Sequence, residues 1–458
     1  MIVVPLGICW IAAVIFSTLD GRRRRVGWLA AGLISVALAI AAWLTWDVIH
    51  NGNRTMVAGD WSPGIGIVLR FDPLTGLFMT LSLGVLLATL IYEVLGGIRS
   101  QSFPALVLFL GAGLSGIFVT ADIFNFYVFF EISMIAAYIL VGYGEDRRQF
   151  RSAAIFTLVN LLGSVFYLIG VAAIYSITGR LDMDGIAQLL RESAETPTLI
   201  AAALFFIAFS IKLGLFPFHF WLVSVYTGTR PAVAAMLSGA LANIGSYGLI
   251  RFGGHILPRE LEYAEPALLV LGALSIIYGG IQAISRRDIP HVLAYSSIGQ
   301  VGYIMLALAL GPKVGFSAVI LFAVVNALNK TTLFLGEQLR GPLAGAVLFI
   351  GGLSVAGIPP VAGFFGKASL IQAALDDDRP WLVALIVLGG AFSLIYMIQP
   401  FIRIFWADRE HESEHPSPLD RRVFVFCIAA LLVAIGIWPQ PLLSLSEHAA
   451  AVLLEVTP

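Results

Sequence analysis

The stretch Leu204–Leu222, LFFIAFSIKLGLFPFHFWL, is decisive for the fold because it is long and apolar enough to cross a bilayer. It carries Lys212 near its middle, and Pro217 and His219 follow within about two helical turns. A lysine at mid-membrane depth raises the free energy of insertion by about 2.5–3.5 kcal/mol, so it is rarely kept without a use. Pro217 removes a backbone donor, which predicts a helix break beside the lysine, as in the ion sites of transporters. A lysine that snorkels to the surface is disfavoured, because apolar residues extend more than one turn on both sides.

Composition indicates that the whole chain, and not only this stretch, is suited to a membrane. Of 458 residues, 59 % are hydrophobic and 12 % charged, against about 25 % charged in soluble proteins, and the mean hydropathy is +0.91. Repeated apolar runs without the alternation of barrel strands predict an all-α, polytopic membrane protein. No basic tract suited to nucleic acid is present, so the lipid bilayer is the expected environment. Cys9 and Cys427 form no metal or redox spacing, so neither a metal nor a cofactor is expected.

The apolar pattern predicts about fourteen transmembrane helices. The seventh, residues 198–224, and the twelfth, residues 342–374, are expected to be broken, the second of these around residues 357–360. Residues 51–71 are polar and rich in glycine and proline, which predicts a short external hairpin. Residues 181–193 predict a surface helix.

The spans suggest a division into four parts. Two five-helix units each contain one broken helix, and because five is odd they would have opposite orientations, as in inverted-repeat transporters. The parts are residues 1–102 with helices 1–3 and the hairpin, 103–252 with helices 4–8, 265–404 with helices 9–13, and 405–458 with a cytoplasmic loop, helix 14 and a short tail.

Arginine distribution predicts the orientation. Loops after odd-numbered spans hold sixteen arginines, whereas loops after even-numbered spans, with Arg251 counted among them, hold eight basic residues. The positive-inside rule then places the odd loops in the cytoplasm and both termini outside, in the cell (inner or plasma) membrane. The basic run Arg22–Arg25 follows the first apolar segment, so that segment is expected to be a retained span and not a signal peptide.

Lysine is used differently from arginine. Only four of the 27 basic residues are lysines, and three of these, Lys212, Lys330 and Lys367, fall inside predicted spans. A desolvated lysine can lose its proton whereas arginine stays charged, so these lysines are predicted to be proton-carrying groups. Glu131 is the one carboxylate found deep within a span. A Glu131–Lys212 contact would hold the ammonium charged, and its opening would favour proton release.

Other polar side chains at predicted membrane depth are candidates for proton relay. Each alone is more often a helix–helix hydrogen bond, but together they are enough to hold a chain of waters. The candidates are His219, Asn243, His291 and Asn326, with Ser246, Ser296, Ser297 and Asn329 beside them. Asp122 and Glu337 lie near span ends and are expected to be solvated.

Several phrases resemble one known family. They are TADIFNFYVFFEISMIAAY, NLLGSVFYLIGVAAIYSITGRLDM, KLGLFPFHFWL, RRDIPHVLAYSSIGQVGYI and AGIPPVAGFFGK, spread over roughly residues 60–405. The chain resembles the antiporter-like subunit family, which includes the D subunit of Mrp-type Na⁺/H⁺ antiporters, proton-pumping subunits of respiratory complex I and subunits of membrane-bound hydrogenases. FNFYVFFE and the compact length look most like the Mrp D branch. The resemblance implies fourteen helices, two inverted five-helix repeats and half-channels joined by a central polar axis.

The resemblance also implies roles for individual residues. Glu131 matches the family's fifth-helix glutamate and Lys212 its seventh-helix lysine. Lys330 in NALNKTTLFL matches the lysine of the eleventh span, and Lys367 the charged group of the twelfth. His219 matches the histidine after the broken seventh helix.

One departure from the family pattern keeps alternatives open. Asn243 stands where the family usually has a lysine, and Asn326 where some members have histidine. The first hypothesis is a proton-translocating subunit of a multi-subunit Na⁺/H⁺ antiporter, whose partners are other membrane subunits, protons and Na⁺. The second is a pumping subunit of a complex I-type or hydrogenase complex, which would make the chain part of a translocase enzyme. A non-pumping scaffold is motivated by Asn243, and a carrier for an organic solute is disfavoured because no substrate pocket is evident.

Overall fold

The computed structural model describes residues 1–61, 66–144, 146–192, 196–403 and 417–454. Within these ranges nearly all of the chain is helical, and the predicted all-α membrane architecture is confirmed. Nine described helices are long and apolar enough to cross a membrane, and one bent pair near the C-terminus would make a tenth span. Four more apolar helices have only 10–17 residues. The number fourteen therefore stays a prediction.

The N-terminal part contains a hairpin between long helices. The elements of this part, in chain order, are α1 Val4–Ser17, α2 Arg24–Asn51, β1 Arg54–Val57, the 3₁₀ turn Ala58–Asp60, β2 Val68–Phe71, α3 Pro73–Gly96, α4 Phe103–Val119, α5 Ile123–Val141, α6 Arg147–Thr178 and α7 Met183–Glu192. The strands are antiparallel, with Arg54 opposite Phe71, and they form the hairpin predicted within residues 51–71. Residues 62–65 of that segment lie outside the described residues. The helix predicted within residues 181–193 is α7.

The remaining elements are all helical. They are α8 Thr196–Leu213, α9 Leu222–Gly228, α10 Pro231–Met236, α11 Asn243–Arg251, α12 Pro258–Tyr263, α13 Glu265–Ile284, α14 Ile289–Ala309, α15 Gly311–Gly336, α16 Pro342–Ala356, α17 Ala362–Asp376, α18 Pro380–Ile402, α19 Leu419–Ile437 and α20 Gln440–Leu454. A wide π-helical turn, Leu237–Leu241, joins α10 to α11, and a second, Phe252–Ile256, follows α11. Together they make Pro231–Ile256 one span.

Both predicted helix breaks are present. The first lies between α8 and α9, where Gly214 adopts φ 70°, and the second between α16 and α17, where Gly357 adopts φ 82°. These values lie in the left-handed region, which glycine enters without a steric penalty. Pro217 and the Pro359–Pro360 pair lie within the two breaks and donate no backbone hydrogen bond there.

Three of the helices that carry candidate residues are deeply enclosed in the bundle. In the most apolar 18-residue stretch, 94 % of residues are buried in Pro231–Ile256 and α14 and 89 % in α15, against 33 % in α2 and α18. Since α15 carries Lys330 and Pro231–Ile256 carries Asn243, protein surrounds these polar side chains. The weakly buried helices present apolar side chains outward, as lipid contact requires.

The C-terminal region differs from the prediction. Residues expected to form a short tail after the last span form α20, which is bent by 78° from α19 and packs against α15 and α3. Pro439 lies within the break and cannot donate a hydrogen bond to a continued helix. The predicted charged loop falls largely on residues 404–416, outside the described residues.

Three charged residues assigned to water are buried. Asp122 is 8 % exposed because it caps α5, accepting a 2.7 Å hydrogen bond from the Asn125 backbone N–H. Glu337, 5 % exposed, follows the last residue of α15 and lies among packed helices. Arg251, counted as a loop residue, ends α11 at 2 % exposure and pairs with buried Asp72 at 2.7 Å. The expectation that Asp122 and Glu337 are solvated was therefore wrong.

Candidate functional site

Lys212 lies in the last turn of α8, directly before the first break. Its side chain is buried, and its Nζ has no hydrogen-bond partner among the described residues. The Nζ lies 3.8 Å from the centroid of the Phe130 ring. A cation over an aromatic face is stabilised electrostatically, and the C-terminal end of a helix adds a favourable dipole. The ammonium is therefore held by diffuse interactions and not by a fixed hydrogen bond.

Glu131 neighbours Phe130 on α5 and is half-buried. Its Oε1 is enclosed and lacks a hydrogen-bond partner in the described part of the chain. No Glu131–Lys212 ion pair within 4.0 Å is present among the described residues, although the two charges lie close enough to interact electrostatically. This geometry is that of an open pair, in which an enclosed Glu131 oxygen and the buried Lys212 ammonium both lack hydrogen-bond partners among the described residues, an arrangement that rarely persists without a role.

His219 lies inside the first break, between α8 and α9. Its ring packs against Phe216 and Tyr278, with ring centroids 5.3 Å and 4.6 Å away. Its Nδ1 is buried and finds no partner within the described ranges. The structure thus places this candidate relay beside the Lys212 break, where α13 approaches.

A small polar cavity connects the first half of the bundle to the second. It has a volume of about 20 Å³, and Leu213, Asn243, Asn326 and Lys330 are among its lining residues. A space of this size accommodates about one water molecule when polar partners are present. Asn243 Nδ2 donates to the Gly239 carbonyl at 2.9 Å, and no residue that the structure describes bonds Asn326 Oδ1. Two of the predicted relay residues therefore lie on one cavity together with the eleventh-span lysine.

Lys330 is held by specific hydrogen bonds. Its Nζ donates to Ser296 Oγ at 2.9 Å and to the Leu293 carbonyl at 3.3 Å, both on α14. Ser296 in turn contacts the Tyr396 hydroxyl on α18 at 3.0 Å. Tyr396, fully enclosed, was not identified from the sequence because its partner lies 100 residues away.

Lys367 lies on α17, after the second break, and its side chain reaches back across the break to α16. Its Nζ donates to the Ala356 carbonyl at 3.1 Å, at the end of α16, and lies 4.9 Å from the Tyr303 ring centroid. In each break, therefore, a lysine ammonium lies at the C-terminal end of the first half-helix and against an aromatic ring.

His291 is not placed with the other candidates. It lies in the first turn of α14, 34 % exposed, and pairs with Asp288. It therefore lies near the N-terminal end of α14, partly open to the outside of the bundle and apart from the buried lysines.

The sequence and fold match known proteins over the whole chain. The family model described as "NADH:quinone oxidoreductase/Mrp antiporter, TM" matches residues 120–340 and 336–393. The D subunit of the Na⁺/H⁺ antiporter of Alkalihalophilus pseudofirmus is 29 % identical over 485 residues, covering 100 % of this chain and 98 % of the relative. A chain of the Mrp complex from Dietzia sp. matches with a TM-score of 0.90 and 26 % identity, covering 100 % of this chain and 97 % of that one.

A further solved structure shows how widely the fold is used. A chain of a membrane-bound sulfane sulfur reductase, an archaeal respiratory membrane complex, matches with a TM-score of 0.90 and 26 % identity, covering 100 % of this chain and 98 % of that chain. The family model covers more than half of this sequence, and its matched region contains Glu131 and all three buried lysines. This chain is a multi-pass membrane protein that belongs to the NADH:quinone oxidoreductase/Mrp antiporter family of transmembrane subunits.

Proposed function

We propose that this chain is the proton-translocating subunit of a multi-subunit cation/proton antiporter, with Na⁺ as the cation. The observation that supports this most strongly is the burial of three lysines within the protein, two of them beside helix breaks. Buried lysines can gain and lose protons, which fixed arginine charges cannot do. The choice of cation rests on the relatives named as D subunits of Na⁺/H⁺ antiporters.

Glu131 and Lys212 are proposed to form a switch. The open geometry leaves the ammonium without a hydrogen bond in the described part of the chain, over the Phe130 ring and at the end of α8. Approach of the carboxylate would stabilise the charged lysine, and its withdrawal would favour release of the proton. His219, in the same break, is proposed to pass protons to or from this pair.

The remaining candidates are proposed to continue the route. One water in the cavity beside Asn243 and Asn326 would link the Lys212 region to Lys330, because Lys330 lines that cavity. Lys367 is proposed as the last proton-carrying group before the exit. His291, at the start of α14, is proposed as an entry residue on the surface.

The membrane arrangement is part of the proposal. The excess of arginine in odd-numbered loops favours both termini outside, in the cell membrane. The division into residues 1–102, 103–252, 265–404 and 405–458, with two inverted repeats, agrees with the positions of the two helix breaks.

A second candidate is a pumping subunit of a respiratory or hydrogenase-like complex. A chain of the sulfane sulfur reductase, a respiratory complex, matches this fold with the same TM-score as the Mrp chain, and this match supports the second candidate. Both candidates use the same buried residues and differ in what drives them. Isolating the native assembly and identifying its other subunits separates the two, since redox subunits would support the second.

The decisive experiment measures cation-dependent dissipation of a pH gradient by the native assembly in vesicles. Lys330→Met is expected to reduce exchange by at least about 100-fold, because the route loses a group that binds the proton. Arg259→Met, at an exposed position on α12, is the matched control and should exchange normally. Normal exchange by an assembled Lys330→Met complex would overturn the proposal and favour the scaffold hypothesis instead.

A further inference from the structure

Four side chains, three with hydroxyl groups and one with an amide, meet where α14 packs against α18, next to Lys330. The Tyr396 hydroxyl on α18 lies 3.0 Å from Ser296 Oγ, 3.0 Å from Ser393 Oγ and 3.3 Å from Gln300 Nε2. All four side chains are at most 3 % exposed. Tyr396 is therefore a junction at which α14 and α18 share hydrogen bonds inside the protein.

The protons in this chain of hydroxyls have a defined direction. Ser393 Oγ donates to the Gly389 carbonyl at 2.8 Å, so its oxygen accepts from Tyr396. A hydroxyl carries one proton, so Tyr396 cannot also donate to Ser296, and Ser296 must donate to Tyr396. Lys330 Nζ donates to Ser296 at the start of the chain. Each hydrogen bond is therefore donated in the same direction, from Lys330 to Ser296, from Ser296 to Tyr396 and from Tyr396 to Ser393.

Most comparable hydroxyls nearby are used differently. Ser297 Oγ donates to the Leu293 carbonyl and Thr331 Oγ1 to the Ala327 carbonyl, each four residues earlier in its own helix. Such local bonds are the usual way to satisfy a hydroxyl within a helix. Ser296, next to Ser297, instead bonds Tyr396 across the helix interface. Packing alone does not require this arrangement, because the local acceptor would serve equally well.

The far end of the chain of hydroxyls lies close to Lys367. Gly389 and Gly390 have no side chain to cover the α18 backbone, one turn before Ser393, the last residue in the chain of hydroxyls. A Cβ at Gly390 would lie 3.6 Å from Lys367 Nζ, and one at Gly389 would lie 2.2 Å from the Tyr303 hydroxyl. That Tyr303 hydroxyl has no partner among the residues that the structure describes. The Tyr303 hydroxyl therefore lies against α18 at Gly389, and the Lys367 ammonium lies beside Gly390, one turn before Ser393.

We propose that Ser296, Tyr396 and Ser393 form the relay through which Lys330 and Lys367 exchange a proton, with Gln300 positioning the tyrosine. In one transfer, Ser296 takes a proton from Lys330 while giving its own to Tyr396, and Tyr396 passes its own to Ser393. Ser393 releases its proton through one water at the glycine pair to the neutral Lys367 amine. Each hydroxyl gains one proton and loses one, so charge moves only from one lysine to the other. The inference rests on the proposed function.

The test compares two buried tyrosines in the native assembly reconstituted into vesicles. Tyr396→Phe keeps the ring and removes the junction hydroxyl. Tyr167→Phe is the matched control, because the Tyr167 hydroxyl is buried but donates only to the Ile123 carbonyl at 3.0 Å. Tyr396→Phe is expected to lower the maximal exchange rate at least about tenfold while the apparent KM for the cation changes less than about twofold. A packing defect would not lower the maximal rate while leaving the apparent KM for the cation nearly unchanged.

Two more variants make every outcome decisive. Ser296→Ala should match Tyr396→Phe, and the double variant should lose little more, because the residues act as one unit. Exchange within about twofold of wild type in Tyr396→Phe, while Lys330→Met is inactive, overturns the relay and leaves the proposed function standing. Normal exchange in Lys330→Met overturns both. If Tyr396→Phe fails to assemble, the maximal rates of Ser296→Ala and Ser393→Ala decide, and wild-type rates in both overturn the relay.

Discussion

The two helix breaks hold their lysines in different ways. At the first break, Lys212 has only an aromatic face within contact and Glu131 stands apart from it, both unsatisfied among the described residues. In the second half, Lys330 and Lys367 each donate hydrogen bonds to carbonyl or hydroxyl oxygens, and no described acidic group pairs with them. A charge held by diffuse forces changes its proton affinity when a carboxylate moves, whereas a hydrogen-bonded one passes protons along fixed contacts. If the proposed proton route is correct, we expect the first half to act as the switch and the second half to conduct protons.

The largest effect is expected at the first break. Glu131→Ala and Lys212→Ala should each abolish ion-coupled exchange, measured as cation exchange driven by a pH gradient in vesicles. The double variant should lose little beyond either single change, because the two residues act together. Removing one charge leaves the other buried, so assembly must be checked in parallel. Near wild-type exchange in either single variant would show that the open pair is not a switch.

Asn243, between the two halves, gives the next largest effect. If water carries the proton past this position, Asn243→Lys should reduce exchange several-fold, because a new cation would repel those at Lys212 and Lys330. Asn243→Ala should cause only a modest loss of about twofold, since Asn326 also lines the cavity. Vesicle exchange rates decide between the routes. Enhanced exchange in Asn243→Lys together with an unchanged rate in Asn243→Ala would contradict the water route.

Substituting the glycines of the two breaks, Gly214 and Gly357, tests whether the backbone geometry of each break affects exchange equally. Gly357→Ala would bring a Cβ to 2.6 Å from Lys367 Cδ, and Gly214→Ala to 2.3 Å from Leu222 Cδ1. Both substitutions also force alanine into left-handed backbone, at a stability loss of about 1–2 kcal/mol. Thermal unfolding in detergent should register both losses. Exchange per assembled complex should fall mainly in Gly357→Ala, where the displaced side chain is Lys367, the proposed proton carrier. Equal exchange in the two variants would contradict this.

The smallest effect is expected at Asp184 on α7, a helix that is not among the candidate membrane spans. Partial burial acts to raise the pKa of this carboxyl, but hydrogen bonding to His255 at 2.8 Å and the charge of Arg70 outweigh it and hold the pKa below its usual value. The ionised form thus adds stability above the unfolded pKa of about 3.9, and this stability is lost as pH falls below that value.

Asp184→Asn should therefore lower thermal stability at neutral pH and make no difference in strongly acidic buffer. Because the side chain is 56 % exposed, solvent screening limits the loss to about 0.5–1 kcal/mol. Glu262→Gln, an exposed carboxylate on α12, is the control. A loss that persists unchanged at acidic pH would mean that α7 is held by contacts other than this charge.

Local signals in the sequence were sufficient for some features. Lys212 and Pro217 lie in one apolar run, so the first break was evident, and the Pro359–Pro360 pair indicated the second. The hairpin and α7 followed from composition over short segments. Each of these depends on neighbours along the chain, which a single sequence reveals.

Features that depend on distant partners were missed. Arg251 at the end of an apolar run looked like a loop residue, and only its contact with Asp72, 179 residues away, explains its burial. Tyr396 sits in an apolar helix where a tyrosine is unremarkable until Ser296 is found beside it. Nothing in the local pattern distinguishes a buried polar side chain with a partner from one that faces lipid headgroups.

The wide turn Leu237–Leu241 has a consequence for how this protein is compared with its relatives. There the Ala242 N–H bonds the Leu237 carbonyl, five residues back, so the turn holds one residue more than an α-helical turn. Asn243, two residues later, is rotated about the helix axis relative to its place in an uninterrupted α-helix. A relative that lacks the wide turn would project its aligned residue elsewhere, so a lysine opposite Asn243 in an alignment need not enter the same cavity. Alignments of this span should be anchored separately before residue 237 and after residue 241.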